Sequence, residues 1–367
     1  MGRFGQFFLL FAALILVLLL WYVSRGEVGT SMFRGNVHRT GVYETEALPR
    51  FTGEKWVFST QNSGNPSPVV VEDTIYLGSM AGRVYALEAA SGEKKWVMEI
   101  GPVETTPAVA KGIVYCGNRD GVFFALNAKN GEVLWRFATG GALKSSPVVA
   151  GGAVYFGSAD GRLYALDAAS GESRWNFETG GEIWSSPAVA DGRVFVGSHD
   201  GAIYAVNSQT GELEWTVKTG GWVRSTPAVN EGVVYVGSRD GNLYALDAVS
   251  GKVNWVFKTW QEIFSSPAVA DGRVLFGGFD GRFYALDAGT GEKLWSFAAE
   301  DQIWSSPSVA QDVIYFGSRD RYLYALNLKT GRKIWKFKAR GWVRTSPALD
   351  AGIVYFGSDS GEFHALH

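Results

Sequence analysis

From residue 66 onward, short apolar runs alternate with short polar punctuation on a fixed beat. Residues 185–218, "SSPAVADGRVFVGSHDGAIYAVNSQTGELEWTVK", carry the pattern once through. "SSPAVA" reads as a first strand, stopped by Asp191-Gly192. "RVFVGS" is a second, alternating and rich in β-branched and aromatic residues. Asp200-Gly201 then suits a two-residue hairpin, because both residue types tolerate positive φ. "AIYAVN" is a third strand, and "SQTG" turns the chain with Gly211 free to adopt a left-handed conformation. "LEWTVKT" is the fourth. The periodicity is that of strands throughout, so residues 51–367 are expected to be all-β.

The unit recurs. Proline follows Ser or Thr at Pro68, Pro107, Pro147, Pro187, Pro227, Pro267, Pro307 and Pro347. The interval is identical six times and one position shorter once. Trp56, Trp96, Trp135, Trp175, Trp215, Trp255, Trp295 and Trp335 keep the same beat, as do eight alanines from Ala86 to Ala365. Four antiparallel strands in each of eight such units predict an eight-bladed β-propeller. The eighth unit runs out after three strands, at "EFHALH", whereas "TGEKWVF" at 52–58 is a fourth strand without a blade. The expectation is that this N-terminal strand completes the last blade and closes the ring, leaving no exposed sheet edges.

Residues 1–25 are of another kind. No charge occurs from Phe4 to Ser24, and "FFLLFAALILVLLLWYV" is nearly all apolar. As a helix this stretch would be about 31 Å long, the thickness of a hydrocarbon core. A secretory signal peptide normally has a shorter apolar region ending in small residues, and here the run closes with Trp21 and Tyr22. Residues 1–25 are therefore read as one transmembrane anchor, with a cleaved signal as the alternative. Arg3 and the free amine precede the run, which places the N-terminus in the cytoplasm and the propeller on the periplasmic or extracellular side of the cytoplasmic membrane. Residues 26–50 form a linker or lead-in.

Composition adds exclusions. The net charge is −2, with both signs scattered, which leaves no concentrated basic face for nucleic acid. The single cysteine, Cys116, forbids an intramolecular disulfide and sits in an apolar run, as a small buried hydrophobe would.

"ALDAASGESRW" (165–175) resembles the tryptophan-docking motif, A-x-D-x-x-T/S-G-x-x-x-W, of the pyrroloquinoline quinone (PQQ)-type propellers. "ALDAVSGKVNW", "ALDAGTGEKLW" and "ALNLKTGRKIW" repeat it, and "SMFRGNVHRTGVY" (31–43) is similar to the segment before the first blade in that superfamily. The resemblance spans residues 31–367. It implies the fold, and it implies either of two functions, since the superfamily holds quinoprotein dehydrogenases and non-enzymatic members such as the outer-membrane assembly factor BamB.

Features shared by all eight units are structural. The register tryptophans fill the space between blades, and the hairpin aspartates from Asp120 to Asp320 serve their turns, so no metal ligands are assigned. His199 stands where Arg119, Arg239 and Arg319 stand in other units and is read as a solvated turn residue. Function is sought where the units differ. Five tryptophans lie outside the register and the anchor: Trp184, Trp222, Trp260, Trp304 and Trp342, at offsets of three, five, seven, three and five before a register proline. The position four before the proline is apolar in seven units. In an extended chain, odd and even positions face opposite ways, so the odd positions should line the channel or its mouth. The candidate binding residues are Trp184, Trp222, Arg224, Trp260, Phe264, Trp304, Trp342 and Arg344, with no catalytic residue assigned. Such side chains suit a plug for the channel, an anchoring surface for a protein partner, or a stacked planar or anionic ligand.

Two functions follow. The first is a membrane-anchored, BamB-like protein-interaction scaffold without catalysis, because no unit overruns the common interval and none carries an inserted lid. Unlike that lipoprotein, this chain has no cysteine after its apolar run. The second is a PQQ-dependent dehydrogenase. There the resemblance implies a quinone over a tryptophan (Trp184 or Trp304) with calcium near Glu104, Glu182 or Glu262, but the disulfide of adjacent cysteines is missing. Binding of a sugar or polymer by the aromatic residues is a third possibility. No cofactor is assigned on balance.

Overall fold

Each repeat unit folds as a four-stranded antiparallel sheet in a computed structural model that describes residues 30–60 and 66–367. In the fourth blade the strands are Ala188–Ala190, Arg193–Gly197, Ala202–Asn207 and Leu213–Lys218. Blades 1 to 7 follow one another from residue 69 to residue 338. The first strand is shorter than "SSPAVA" predicts. Ser185, Ser186 and Pro187 lie outside it because the two serines bond to the neighbouring blade and the Pro187 carbonyl accepts from Arg39 of the lead-in, instead of from a sheet partner. The backbone amide of Ser186 donates to Thr226 Oγ1 at 3.3 Å and the Ser185 hydroxyl to the Ser225 carbonyl at 2.9 Å.

The register explains the repeated residues. Trp215 sits opposite Ala205 on the third strand, where a small side chain leaves room for the indole. Its Nε1 donates to the Ala248 carbonyl of the next blade at 3.0 Å. Gly211 has φ +76°, and a Cβ there would stand 2.8 Å from the ring of Trp175, so both conformation and space demand glycine. Asp200 accepts from the Ala202 amide within its hairpin, but also from the Tyr204 hydroxyl and from the Gly180 amide of the preceding blade. The aspartate ladder therefore locks adjacent blades. Among the described residues no three His, Cys, Asp or Glu side chains are grouped to hold a metal.

Blade 8 is built as expected. Ala348–Asp350, Ile353–Gly357 and Glu362–Leu366 are joined by Glu54–Ser59, with Trp56 opposite Ala365 and Val57 opposite His364. Eight apolar clusters make up the core of the described residues, and each bridges neighbouring blades. The cluster joining Ile75 and Tyr85 to Tyr355 and Phe363 unites the first and last. Cys116 is fully buried, and burial pushes its thiol up to about 12.

The lead-in crosses the axis. The amides of Val189, Val229, Val269 and Val309, each central to a first strand, donate to the carbonyls of Val37, His38, Thr40 and Gly41 at 2.8–2.9 Å. Two arginines of this segment, Arg34 (2% exposed) and Arg39 (0%), are buried among carbonyls of the inner ring. Arg34 reaches Ser266 and Pro267, and Arg39 reaches Ser146, Pro147 and Pro187. Burial lowers both guanidinium pKa values to about 9. The apolar run at 4–24, read as a membrane anchor, lies outside the described residues, and among those described no helix is long and apolar enough to cross a membrane.

Candidate functional site at the channel mouth

A single geometric rule places the variable side chains. The seven residues four before the register proline, from Val103 to Val343, are all 0% exposed. Each donates its amide to the end of the preceding blade's second strand, as Ile183 does to the Ser158 carbonyl at 3.0 Å. With that position pinned inward, the residue three before the proline turns to the axis. Asn65 lies outside the described residues, Glu104 is exposed, and Lys144, Trp184, Arg224, Phe264, Trp304 and Arg344 form a half-buried series on blades 3 to 8.

These side chains meet face to face. Lys144 Nζ lies 3.2 Å from the centre of a Trp184 ring, and the Arg224 guanidinium 4.0 Å from it and 5.1 Å from Phe264. Phe264 stacks on Trp304 at 5.6 Å, and Arg344 stands 5.5 Å from Trp304. Cations thus flank the aromatic faces, Trp184 between Lys144 and Arg224 and the Phe264–Trp304 pair between Arg224 and Arg344, each cation–aromatic contact adding about 0.5–2 kcal/mol. Trp222 and Trp342 join from five before the proline. Arg224 and Arg239 approach Trp222 at 5.2 and 4.6 Å, and Arg319 approaches Trp342 at 4.0 Å.

Trp260 does not join them. It is 87% exposed, in a bend at residues 260–261 that breaks the alternation on which its parity depended. His199 is not a solvated turn residue either. It lies between Trp184 and Trp222, 4.6 Å from each, and its Nε2 accepts from Arg224 Nε at 3.1 Å. That bond fixes the proton of the neutral ring on Nδ1, which points to Glu182 at 4.0 Å. Burial, followed by the Arg224 charge, lowers its pKa to about 4.

His199 belongs to a second series that the sequence reading missed, the residue before each hairpin aspartate. Arg119, paired with Glu104, holds the same position in its unit, and Arg239, Phe279 and Arg319 are the members around His199. Their amides donate to the carbonyls of Trp222, Glu262 and Gln302 at 2.9–3.0 Å, which seats the hairpin tip on the mouth. Phe279 stacks between Phe264 (4.4 Å) and Trp304 (5.0 Å). The available signal was variation from unit to unit at this position.

Behind the mouth the axis is closed. The residue just before each register proline passes its amide to the next blade's hydroxyl, from Thr106 to Ser146, on through Ser186, Thr226, Ser266, Ser306 and Ser346, and so to Ser67. This is why Ser or Thr precedes the proline. Beyond this ring lie Arg34, Arg39 and the lead-in.

The family described as outer membrane protein assembly factor BamB, a PQQ-type repeat family, matches residues 46–181 and 258–367, more than half of the chain. The chain belongs to this BamB-type family. The propeller of the β-alanine-activating enzyme matches residues 150–312 of this BamB-type chain. There is no match among curated proteins. BamB from Moraxella catarrhalis is similar in structure at 22% identity and TM-score 0.74, with 86% of this chain and 97% of that one covered. The computationally designed Ika8 protein (19%, TM-score 0.77, 86% and 100% covered) and the quinohemoprotein alcohol dehydrogenase of Comamonas testosteroni (16%, 0.80, 93% and 81%) share the fold as well.

The mouth of this BamB-type propeller does not fit a quinone with calcium. A planar ring entering over Trp184 meets Lys144 and Arg224 already against that indole. Glu262 is held by Arg239 at 2.7 Å, Glu104 by Arg119 at 3.4 Å, and Glu182 accepts from Trp184 Nε1 at 2.6 Å. The carboxylates are spread over separate blades, each with its own partner.

Proposed function

We propose that the protein is a non-catalytic interaction scaffold that presents the channel mouth to a protein partner. The reading includes an N-terminal anchor at residues 1–25 holding the propeller at the outer face of the cytoplasmic membrane, and a role near envelope protein assembly. The observation that carries it is the mouth itself, an aromatic and guanidinium surface, half-buried and preorganised by stacking. Tryptophan and arginine in such settings dominate the binding energy of protein interfaces. Trp222 and Trp342, 42% and 41% exposed, extend the surface outward. The short hairpins add nothing that would enclose a reaction.

The test is a photocrosslinking residue placed at Trp222 or Trp342 in the full chain, in intact cells. The scaffold reading expects one envelope protein captured at near-stoichiometric yield from both positions and not from Leu134, an exposed residue of an outer strand. Crosslinks of equal strength from Leu134, or none from the mouth, would overturn it.

A further inference from the structure

We propose that the mouth receives an acidic peptide segment, a loop or chain end of the partner carrying at least two carboxylates. The proposal rests on the scaffold reading and names the chemistry of what docks. It comes from the charge balance at the mouth. Six cations (Arg119, Lys144, Arg224, Arg239, Arg319, Arg344) face four carboxylates (Glu104, Glu182, Glu262, Asp359). Arg119 pairs with Glu104, Arg239 with Glu262 and Arg344 with Asp359. Lys144, Arg224 and Arg319, from blades 3, 5 and 7, make no ion pair with any carboxylate among the described residues.

Two of the three hold open donors. Arg224 spends only its Nε, on a neutral histidine, and no hydrogen bond engages its terminal nitrogens among the described residues. Arg319 donates from Nη1 to Gln302 at 2.6 Å, and no hydrogen bond engages its Nη2 among the described residues. Burial lowers the proton affinity of Lys144 and Arg224, which marks these cations as partly desolvated. A carboxylate matches a guanidinium fork, and such a charge-assisted bond gains strength where water is scarce.

The backbone around the site sets the form of the occupant. Hydroxyl groups and the lead-in already engage the polar groups of the inner segments, so a peptide would bind through its side chains and not as an added strand. The closed axis allows insertion of a loop or an end and forbids threading. Three unpaired cations match two or three separated carboxylates, whereas a polyphosphate would carry a charge at every step past them to the four carboxylates of the mouth, which favours a peptide over a nucleic acid.

The experiment uses the full chain in detergent micelles and three fluorescein-labelled probes: a decapeptide of Asp, Glu and Phe, the same decapeptide with Asn and Gln, and a single-stranded DNA of equal charge. Fluorescence anisotropy should show saturable binding of the acidic peptide alone, weakening as salt rises. Arg224→Gln, Arg319→Gln and Lys144→Gln should each weaken it about tenfold, while Arg162→Gln, on the third strand of blade 3 and paired with Glu178, should not. Thermal melts check that each variant is folded, and Lys144→Gln at the half-exposed rim decides if the arginine variants melt low. No saturation, binding by the three variants as tight as by the parent, or equally tight DNA binding overturns the proposal. If the acidic peptide fails while the crosslinker at Trp222 still captures a partner, the acidic class falls and the scaffold stands. If the crosslinker captures nothing, the scaffold falls too.

Discussion

Trp335 donates its indole hydrogen bond to the carbonyl of Leu48, 287 residues earlier, at 2.8 Å. In the other blades the same indole reaches forward into the next unit, as Trp295 does to Leu328 at 3.2 Å. At the seam the lead-in supplies the acceptor, and Phe51 adds its ring 5.7 Å from that of Trp335. The junction is thus chemically equivalent to the others although its parts come from opposite ends of the sequence. Trp335→Phe should cost about 1 kcal/mol, the net value of one hydrogen bond. Trp295→Phe should cost the same. Urea unfolding of both variants checks this, and a neutral Trp335→Phe beside a costly Trp295→Phe would show a seam held by other contacts.

Arg39 should matter more. Its guanidinium satisfies carbonyls on two blades and one in the lead-in itself, with no exposure to water. Arg39→Met keeps much of the volume but leaves those acceptors buried and unpaired. The expected loss is about 2–4 kcal/mol, read as a lowered urea midpoint at unchanged slope. A variant as stable as the parent would mean that water or a shifted backbone takes over the carbonyls.

His199 makes stability depend on pH. Its folded pKa of about 4 lies below the ordinary 6.5, so between these values the unfolded chain binds a proton that the folded chain refuses. Stability therefore rises with pH across this window. The contribution is complete above 6.5 and is lost as pH falls to about 4. His199→Phe keeps a ring between Trp184 and Trp222 and removes the titration. Its melting temperature should fall less than that of the parent between pH 7 and pH 4. Parallel curves for the two proteins would contradict the assignment.

PQQ with Ca²⁺ should produce no saturable quenching of tryptophan fluorescence at high micromolar quinone, because Lys144 and Arg224 already cover Trp184. Quenching that saturates, and that Trp184→Ala or Trp304→Ala abolishes, would place a quinone in the mouth and reopen the dehydrogenase reading.

The blades, their number and the closing strand were legible because each unit restates the same Pro, Trp and Ala positions, so eight weak signals add. The inward side of the mouth was legible from Ile183 and its six counterparts, whose apolar character fixes the parity of Trp184 and Arg224 beside them. Trp260 shows where that reasoning ends, since alternation holds only along extended chain and a bend cancels it. His199 and Phe279 were not legible because their neighbours come from other strands and the adjoining blade. Arg34 and Arg39 look like solvent-facing residues in a polar stretch, and only the assembled ring of carbonyls gives them a reason to be buried.

That lead-in sets an order of events. Arg39 binds carbonyls 107 to 148 residues further along, and Arg34 binds carbonyls 232 and 233 residues away. Thr52 donates its hydroxyl to the carbonyl of His367, 315 residues on. The carbonyls that receive Arg34 and Arg39 are not all in place until six blades stand side by side, Val309 of the seventh completes the hydrogen bonds of the lead-in, and the seam waits for the eighth. Contacts of such separation form late and slowly. The segment made before any blade is therefore the last to settle, and until then the growing stack carries two open sheet edges and an unplugged axis. Whatever environment receives this chain must shelter those edges for the whole time of its synthesis.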